Sequence, residues 1–196
     1  MEGVASLKAM IRASSSVLEA MEADAALCQA TVDSVDRVVE SFRAGGKLMI
    51  CGNGGSAADA QHWAGELVSR FLYDRPGLPA IALTTDTSIL TSIGNDYGFD
   101  SSFSRQVEAL ARAGDVLFAI STSGRSPNII GALKAARERE VTTVGFTGRH
   151  GGDMLELCDL CIRVPSDSTP RIQEGHELLG HAICAMVEAV MFPRPT

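Results

Sequence analysis

The sequence predicts an α/β fold: a five-stranded parallel sheet flanked by helices, preceded by an N-terminal helical pair. Three observations carry this. Five short apolar runs, at 47–51, 80–83, 116–120, 143–146 and 160–164, alternate with helical segments, the pattern of parallel strands joined by crossover helices and covered on both faces. Two of the runs are followed by small polar loops, and ligands bind beyond the carboxyl ends of such strands. Ahead of the first run, apolar residues recur at helical spacing.

In chain order, residues 4–44 read as two helices on the spacing of Val17, Leu18 and Met21, then Val32, Val35, Val38, Val39 and Phe42. Gly45-Gly46 ends the second, which places a domain boundary there: a helical pair over 1–44 and the sheet domain over 45–196. Helical segments are expected at 57–70, at 87–93 with 99–112, and at 127–140. A short turn falls near 154–157, and a long helix over 171–191 closes the chain. Ile50 to Ser56 and Ile120 to Ser126 echo one another as strand, small polar loop and helix.

Composition narrows the function classes. With 196 residues, 45% apolar and 21% charged, the chain has enough material for one full core. A net charge of -7 argues against nucleic-acid binding by general electrostatic attraction. The N-terminus lacks the basic start and apolar stretch of a signal peptide. No apolar run approaches the roughly 20 residues that span a bilayer, so no membrane partner is expected. Five cysteines, an odd number, fit a reducing cytoplasm better than a disulfide framework. Cys158 and Cys161 have metal-pair spacing without a second pair, and read as small core residues beside the last strand.

Ser121-Thr122-Ser123-Gly124-Arg125-Ser126-Pro127 follows a strand and opens a helix. Its hydroxyls, a Gly and the free N–H groups of a helix start suit an anion, and Pro127 fits the first turn. The loop lacks the Lys of a nucleotide-binding loop and the spacing of a dinucleotide fingerprint, so it suits a phosphomonoester. Gly52 to Ser56 is a second, less specific loop of this kind.

His62 and Glu66 stand four residues apart and share a helix face. On the last helix Gln173, His176, Glu177 and His181 offer an amide, two imidazoles and a carboxylate, and Glu177 with His181 is another i, i+4 pair. Imidazoles and carboxylates are zinc donors; spacing alone does not select among those on the last helix. His150, before Gly151-Gly152, reads as a loop residue without a partner. A metal or proton-transfer site beside a phosphate cradle points to chemistry on a sugar phosphate.

Cys51-Gly52-Asn53-Gly54-Gly55-Ser56-Ala57-Ala58-Asp59-Ala60-Gln61-His62, Gly94-Asn95-Asp96, Ser121-Thr122-Ser123-Gly124 and Arg171-Ile172-Gln173-Glu174 together resemble the sugar isomerase (SIS) domain family, and within it the phosphoheptose isomerases, over residues 40–192. The resemblance implies a flavodoxin-like three-layer αβα fold and a homotetramer with sites at subunit interfaces. It implies interconversion of sedoheptulose 7-phosphate and D-glycero-D-manno-heptose 7-phosphate, the first step toward bacterial heptose precursors. It implies one Zn2+ per subunit on His62, Glu66, Gln173 and His181, with Glu66 and His181 catalytic. Substrate contacts would be Asn53, Gly54, Gly55, Glu66, Asn95, Asp96, Ser121, Thr122, Ser123, Ser126 and Gln173.

Arg125 and Pro170 depart from the pattern of many relatives: the first adds a cation to the phosphate loop, the second replaces an Asp. A replication-initiator-associating SIS protein resembles the chain over the same region but generally lacks the acidic residue at 66 and the imidazole at 181, both present here. A sugar-phosphate-sensing regulator would bring a DNA-binding domain, and the roughly 40 residues before the sheet carry few basic groups.

Overall fold

The computed structural model describes residues 2–194; Met1 and Pro195-Thr196, the outer ends of the two expected domains, lie outside the described residues. The helical pair is α1 (Glu2–Ala23) and α2 (Ala25–Arg43). The alternating part runs β1 (Leu48–Gly52), α3 (Gly55–Val68), β2 (Ala80–Ala82), α4 (Thr87–Asp96), α5 (Ser104–Leu110), β3 (Val116–Ile120), α6 (Pro127–Glu138), β4 (Thr142–Gly148), β5 (Leu160–Val164) and α7 (Thr169–Met191). Short 3-10 turns occupy Phe99–Ser101 and Gly152–Glu156.

Local chemistry sets the helix ends. The Asp24 carboxylate accepts from the amides of Ala26 and Leu27, both at 3.0 Å, and so starts α2. Asp86 does the same for α4 through Ile89 at 2.9 Å. Pro127 occupies the first turn of α6, where its missing N–H costs nothing.

The strands order as β2-β1-β3-β4-β5, all parallel, with Leu48 opposite Val116 and Val144 opposite Leu160. The period of two along each strand divides the core. Leu48, Ile50, Val116, Phe118, Ile120, Val144 and Phe146 face α2, α3 and α7. Met49, Cys51, Leu117 and Ala119 face α5 and α6. Being buried on both sides, β1 and β3 are apolar throughout. The order reverses between β1 and β3, so the loops after these two strands leave toward opposite faces and open a crevice.

Several boundaries differ from expectation. The helix expected over 99–112 is a 3-10 turn plus the seven-residue α5; Gln106, buried in α5, donates to the carbonyls of Leu83 and Ser102 and ties that segment to the end of β2. The last helix starts at Thr169 rather than 171, with Pro170 in its first turn. His150 does have a partner: its Nε2 lies 3.0 Å from Asp167 Oδ1, across the loop before α7. Cys158 and Cys161 are half-buried rather than fully in the core, and burial pushes both thiols up, which disfavours the thiolate a metal needs.

Two helices cross closely over the sheet. Trp63 of α3 is 1% exposed, packs on Phe146 at 5.2 Å between centroids and lies directly against Gly180 of α7. A Cβ built on Gly180 would overlap the indole, 2.0–2.5 Å from three of its atoms. We therefore expect Gly180→Ala to destabilise the fold by about 1–3 kcal/mol through overpacking, read as a lowered midpoint in urea.

His176, also on α7, faces inward with no exposure; its Nε2 lies 3.1 Å from the Thr147 carbonyl and its Nδ1 has no partner. It is a core imidazole, not a site ligand. Burial pushes it down to about 4 from the ordinary 6.5, against a smaller opposing pull from the Thr147 hydrogen bond. The unfolded chain thus takes up a proton that the folded chain refuses, so this group's effect is absent above pH 6.5 and erodes stability as pH falls toward 4. The loss should be on the order of 3 kcal/mol, and His176→Gln should flatten that part of a stability–pH curve.

Candidate active site

Crossing α3 over α7 brings together residues more than a hundred positions apart. His62, on α3, and His181, on α7, approach with Nε2 to Nε2 at 2.8 Å, rings nearly perpendicular at 77°. At that distance one imidazole donates and the other accepts. Glu66 Oε1 lies 3.6 Å from His62 Nε2. Glu177 Oε1 lies 3.3 Å from His62 Nε2 and 3.2 Å from His181 Nε2. The other Glu177 oxygen accepts from the Trp63 indole N–H at 3.1 Å, so the residue that spaces the two helices also orients this carboxylate. Gln173 sits two turns before His181, its amide over Gly55: a Cβ at 55 would lie 2.5 Å from Gln173 Nε2.

The donor atoms of His62, Glu177 and His181 lie within 4.8 Å of one another. Tetrahedral zinc with bonds of about 2.0–2.1 Å sets its ligands about 3.3 Å apart; the Glu177 contacts match that, and the two imidazoles, at 2.8 Å, would need to part by about half an ångström. The residues present therefore suit the metal that the family implies. All four groups are partly exposed, His62 at 45%, Glu66 at 23%, Glu177 at 35% and His181 at 41%, so a ligand can reach them.

Asp59, one turn before His62, was not marked by the sequence patterns. Its Oδ2 is buried without a partner. Burial pushes its carboxyl up to about 6, the Glu177 carboxylate adds to the rise and His62 opposes it. The signal that would have found it is its i, i+3 spacing to His62 on one helix face.

The Ser121–Ser126 loop gathers its hydroxyls between β3 and α6. Ser121 Oγ lies 3.0 Å from Ser126 Oγ and 3.4 Å from Ser123 Oγ, and the Arg125 amide donates to Ser123 Oγ. Gly124 turns the chain at φ +65°, where a Cβ would collide with the Gly151 carbonyl. Thr122, Ser123, Arg125, Arg149 and His150 line a cavity of about 380 Å³ beside it. Across the crevice, Asn53 and Asn128 bond reciprocally, each amide nitrogen to the other's oxygen at 2.9 Å, and Asn128 also donates to Ser102 Oγ. This pair joins the loop after β1 to the first turn of α6, which follows the hydroxyl loop. Asn95 and Asp96 end α4, exposed and bonded to each other at 2.7 Å; among the described residues neither bonds to the rest of the constellation.

Known proteins resemble this chain in sequence and in fold. The SIS domain family model matches residues 10–148. The chain is 59% identical over 176 residues to a phosphoheptose isomerase of Burkholderia pseudomallei, covering 90% of this chain and 89% of the relative. It is 54% identical over 186 residues to that of Aneurinibacillus thermoaerophilus, covering 95% and 94%. The solved phosphoheptose isomerase of Neisseria gonorrhoeae superposes with a TM-score of 0.87 at 46% identity, over 93% of this chain and 97% of that one. With crevice, hydroxyl loop and paired imidazoles all in place, the chain belongs to the SIS-domain family and, within it, to the phosphoheptose isomerases.

Proposed function

We propose that this isomerase interconverts sedoheptulose 7-phosphate and D-glycero-D-manno-heptose 7-phosphate, supplying bacterial heptose precursors in the cytoplasm. The observation that carries the reading is the meeting of His62, Glu66, Glu177 and His181 at one point, next to a hydroxyl loop at a helix start.

The loop of Ser121, Thr122, Ser123 and Ser126 holds the phosphate with the free amides of α6. Asn53, Gly54, Gly55, Asn95, Asp96 and Gln173 hold the sugar chain. Isomerisation moves one proton between C1 and C2 and exchanges protons on the two oxygens. Glu66 takes the carbon-bound proton, forming an enediol or enediolate, and returns it to the neighbouring carbon. His181 gives and takes the oxygen protons.

Zn2+ would sit on His62, Glu66, Gln173 and His181, and when bound it supplies Lewis-acid stabilisation of charge on the substrate oxygen. A second donor set is favoured by one observation: Glu177 lies against both imidazole Nε2 atoms. With Glu177 in place of Glu66, the latter is free of the cation and keeps the basicity that a bound carboxylate loses. Comparing Glu177→Gln with Glu66→Gln in a zinc titration separates the two sets. The true ligand should lose at least tenfold in affinity, the other far less.

Residues 1–44 serve oligomer packing, with 45–196 as the isomerase domain. Val4, Leu7, Met10 and Ile11 leave an apolar stripe of α1 exposed, each by more than half, which supports a homotetramer with sites at its interfaces. Among the described residues no helix is long and apolar enough to cross a membrane, and no nucleic-acid partner is proposed.

The test is NMR of the zinc-supplemented protein with sedoheptulose 7-phosphate. Aldoheptose resonances should grow in, and Glu66→Gln and His181→Ala should each lower turnover by about 100-fold or more with unchanged circular dichroism. A folded wild-type protein without turnover would overturn the reading and favour the protein-binding role of the replication-associated SIS relative.

A further inference from the structure

The segment between α3 and β2 has no regular structure, yet one carboxylate organises it. Glu188, near the end of α7, is fully buried. It accepts from the backbone amides of Phe71 at 2.8 Å, Leu72 at 2.7 Å and Tyr73 at 3.3 Å, and from Arg75 Nε at 3.0 Å. Burial alone pushes its carboxyl up, but the Phe71 and Leu72 amides and the Arg75 guanidinium outweigh that and hold it below the ordinary 4.5.

Arg75, its side chain 2% exposed, spends its remaining donors on carbonyls. Nη1 reaches Leu67 at 2.6 Å, and Nη2 reaches the carbonyl of Glu66 at 2.9 Å. The Tyr73 hydroxyl lies 2.8 Å from the Phe192 carbonyl and 3.1 Å from that of Glu188. An apolar plug of the same volume is often as stabilising as a buried ion pair, so stability alone does not account for this one.

What the pair does is mechanical. It ties together the last turn of α3, which carries Glu66, the turn carrying Phe71, and the end of α7. Phe71 lies stacked on the His181 imidazole, centroids 5.5 Å apart and planes 27° from parallel. His181 is thereby confined between Phe71 on one side and His62 on the other.

We propose that Arg75 and Glu188 are positioning residues that clamp Phe71 as a wall against His181 and fix the end of α3 beneath Glu66. The effect on turnover rests on the isomerase reading above; the stacking does not. Displacing a reacting group by about 1 Å costs about 100-fold in rate, and losing a wall on one side of His181 permits a part of that movement.

The test compares Phe71→Leu, Phe71→Tyr and Glu188→Gln in the zinc-loaded protein at fixed pH, reading the His181 ring C–H resonances and the steady-state constants. Phe71→Leu should abolish the ring-current displacement of His181 and lower kcat about tenfold with KM within twofold; Phe71→Tyr should retain both. Glu188→Gln should move the His181 resonances in the direction of Phe71→Leu with helical circular dichroism intact. Should that variant fail to fold, Arg75→Lys, which keeps the charge and loses the fork, is read in the same way. Unchanged His181 resonances in Phe71→Leu, or in a folded clamp variant, would overturn the proposal. A displaced His181 resonance in a wild-type protein without turnover would support the clamp while overturning the isomerase reading.

Discussion

The close contact of α3 with α7, set by an indole lying on a residue without a side chain, is the constraint on which the site depends. Trp63 and Gly180 fix how near the two helices come, and each helix carries half of the imidazole pair. Because the indole also donates to Glu177, a single packed side chain sets both the spacing of the helices and the direction of a carboxylate between them. The sheet beneath holds this arrangement from below, since Trp63 rests on Phe146 and Phe146 on Phe118.

Much of the fold is legible in the sequence because its strands are buried on both faces. Such strands have to be apolar throughout, so β1 and β3 stand out, β3 at its observed bounds and β1 within one residue; β5, at the sheet edge with Arg163 exposed, was bounded by its flanking apolar residues instead. The helix starts after Asp86 and at Pro127 were readable, whereas that of α7, after Ser168, was placed two residues late. The region after α4 was not. There Gln106 satisfies carbonyls from two separate segments, a tertiary requirement that leaves no local period.

The site was legible in part, and the missing portion has one cause. Spacing along a helix identifies residues sharing a face, so His62 with Glu66 and Glu177 with His181 could be marked as pairs. It does not say how two helices are placed against each other. The approach of Glu177 to His62, and the burial of Asp59 beside both, follow from the α3–α7 crossing and have no counterpart in either helix alone. Arg75 and Glu188 are the extreme case: 113 residues separate them, and as isolated charges they look like solvated surface. Conversely, His176 resembles its neighbour His181 in sequence, and only its inward position distinguishes a core imidazole from a site imidazole.

The reciprocal amide bonds between Asn53 and Asn128 have a thermodynamic consequence for ligand capture. The loop after β1 is joined side chain to side chain to the first turn of α6, so that loop cannot swing away from the helix start without breaking both bonds. Its conformational entropy is therefore surrendered during folding, before any ligand arrives. A sugar phosphate entering the crevice gives up its own freedom but meets a loop that is already ordered, and more of its contact energy remains as affinity. Asn128 spends its second N–H on Ser102, whereas the partly exposed Asn53 keeps a second N–H and a lone pair beyond its partner, which leaves that side of the bridge able to recognise a hydroxyl.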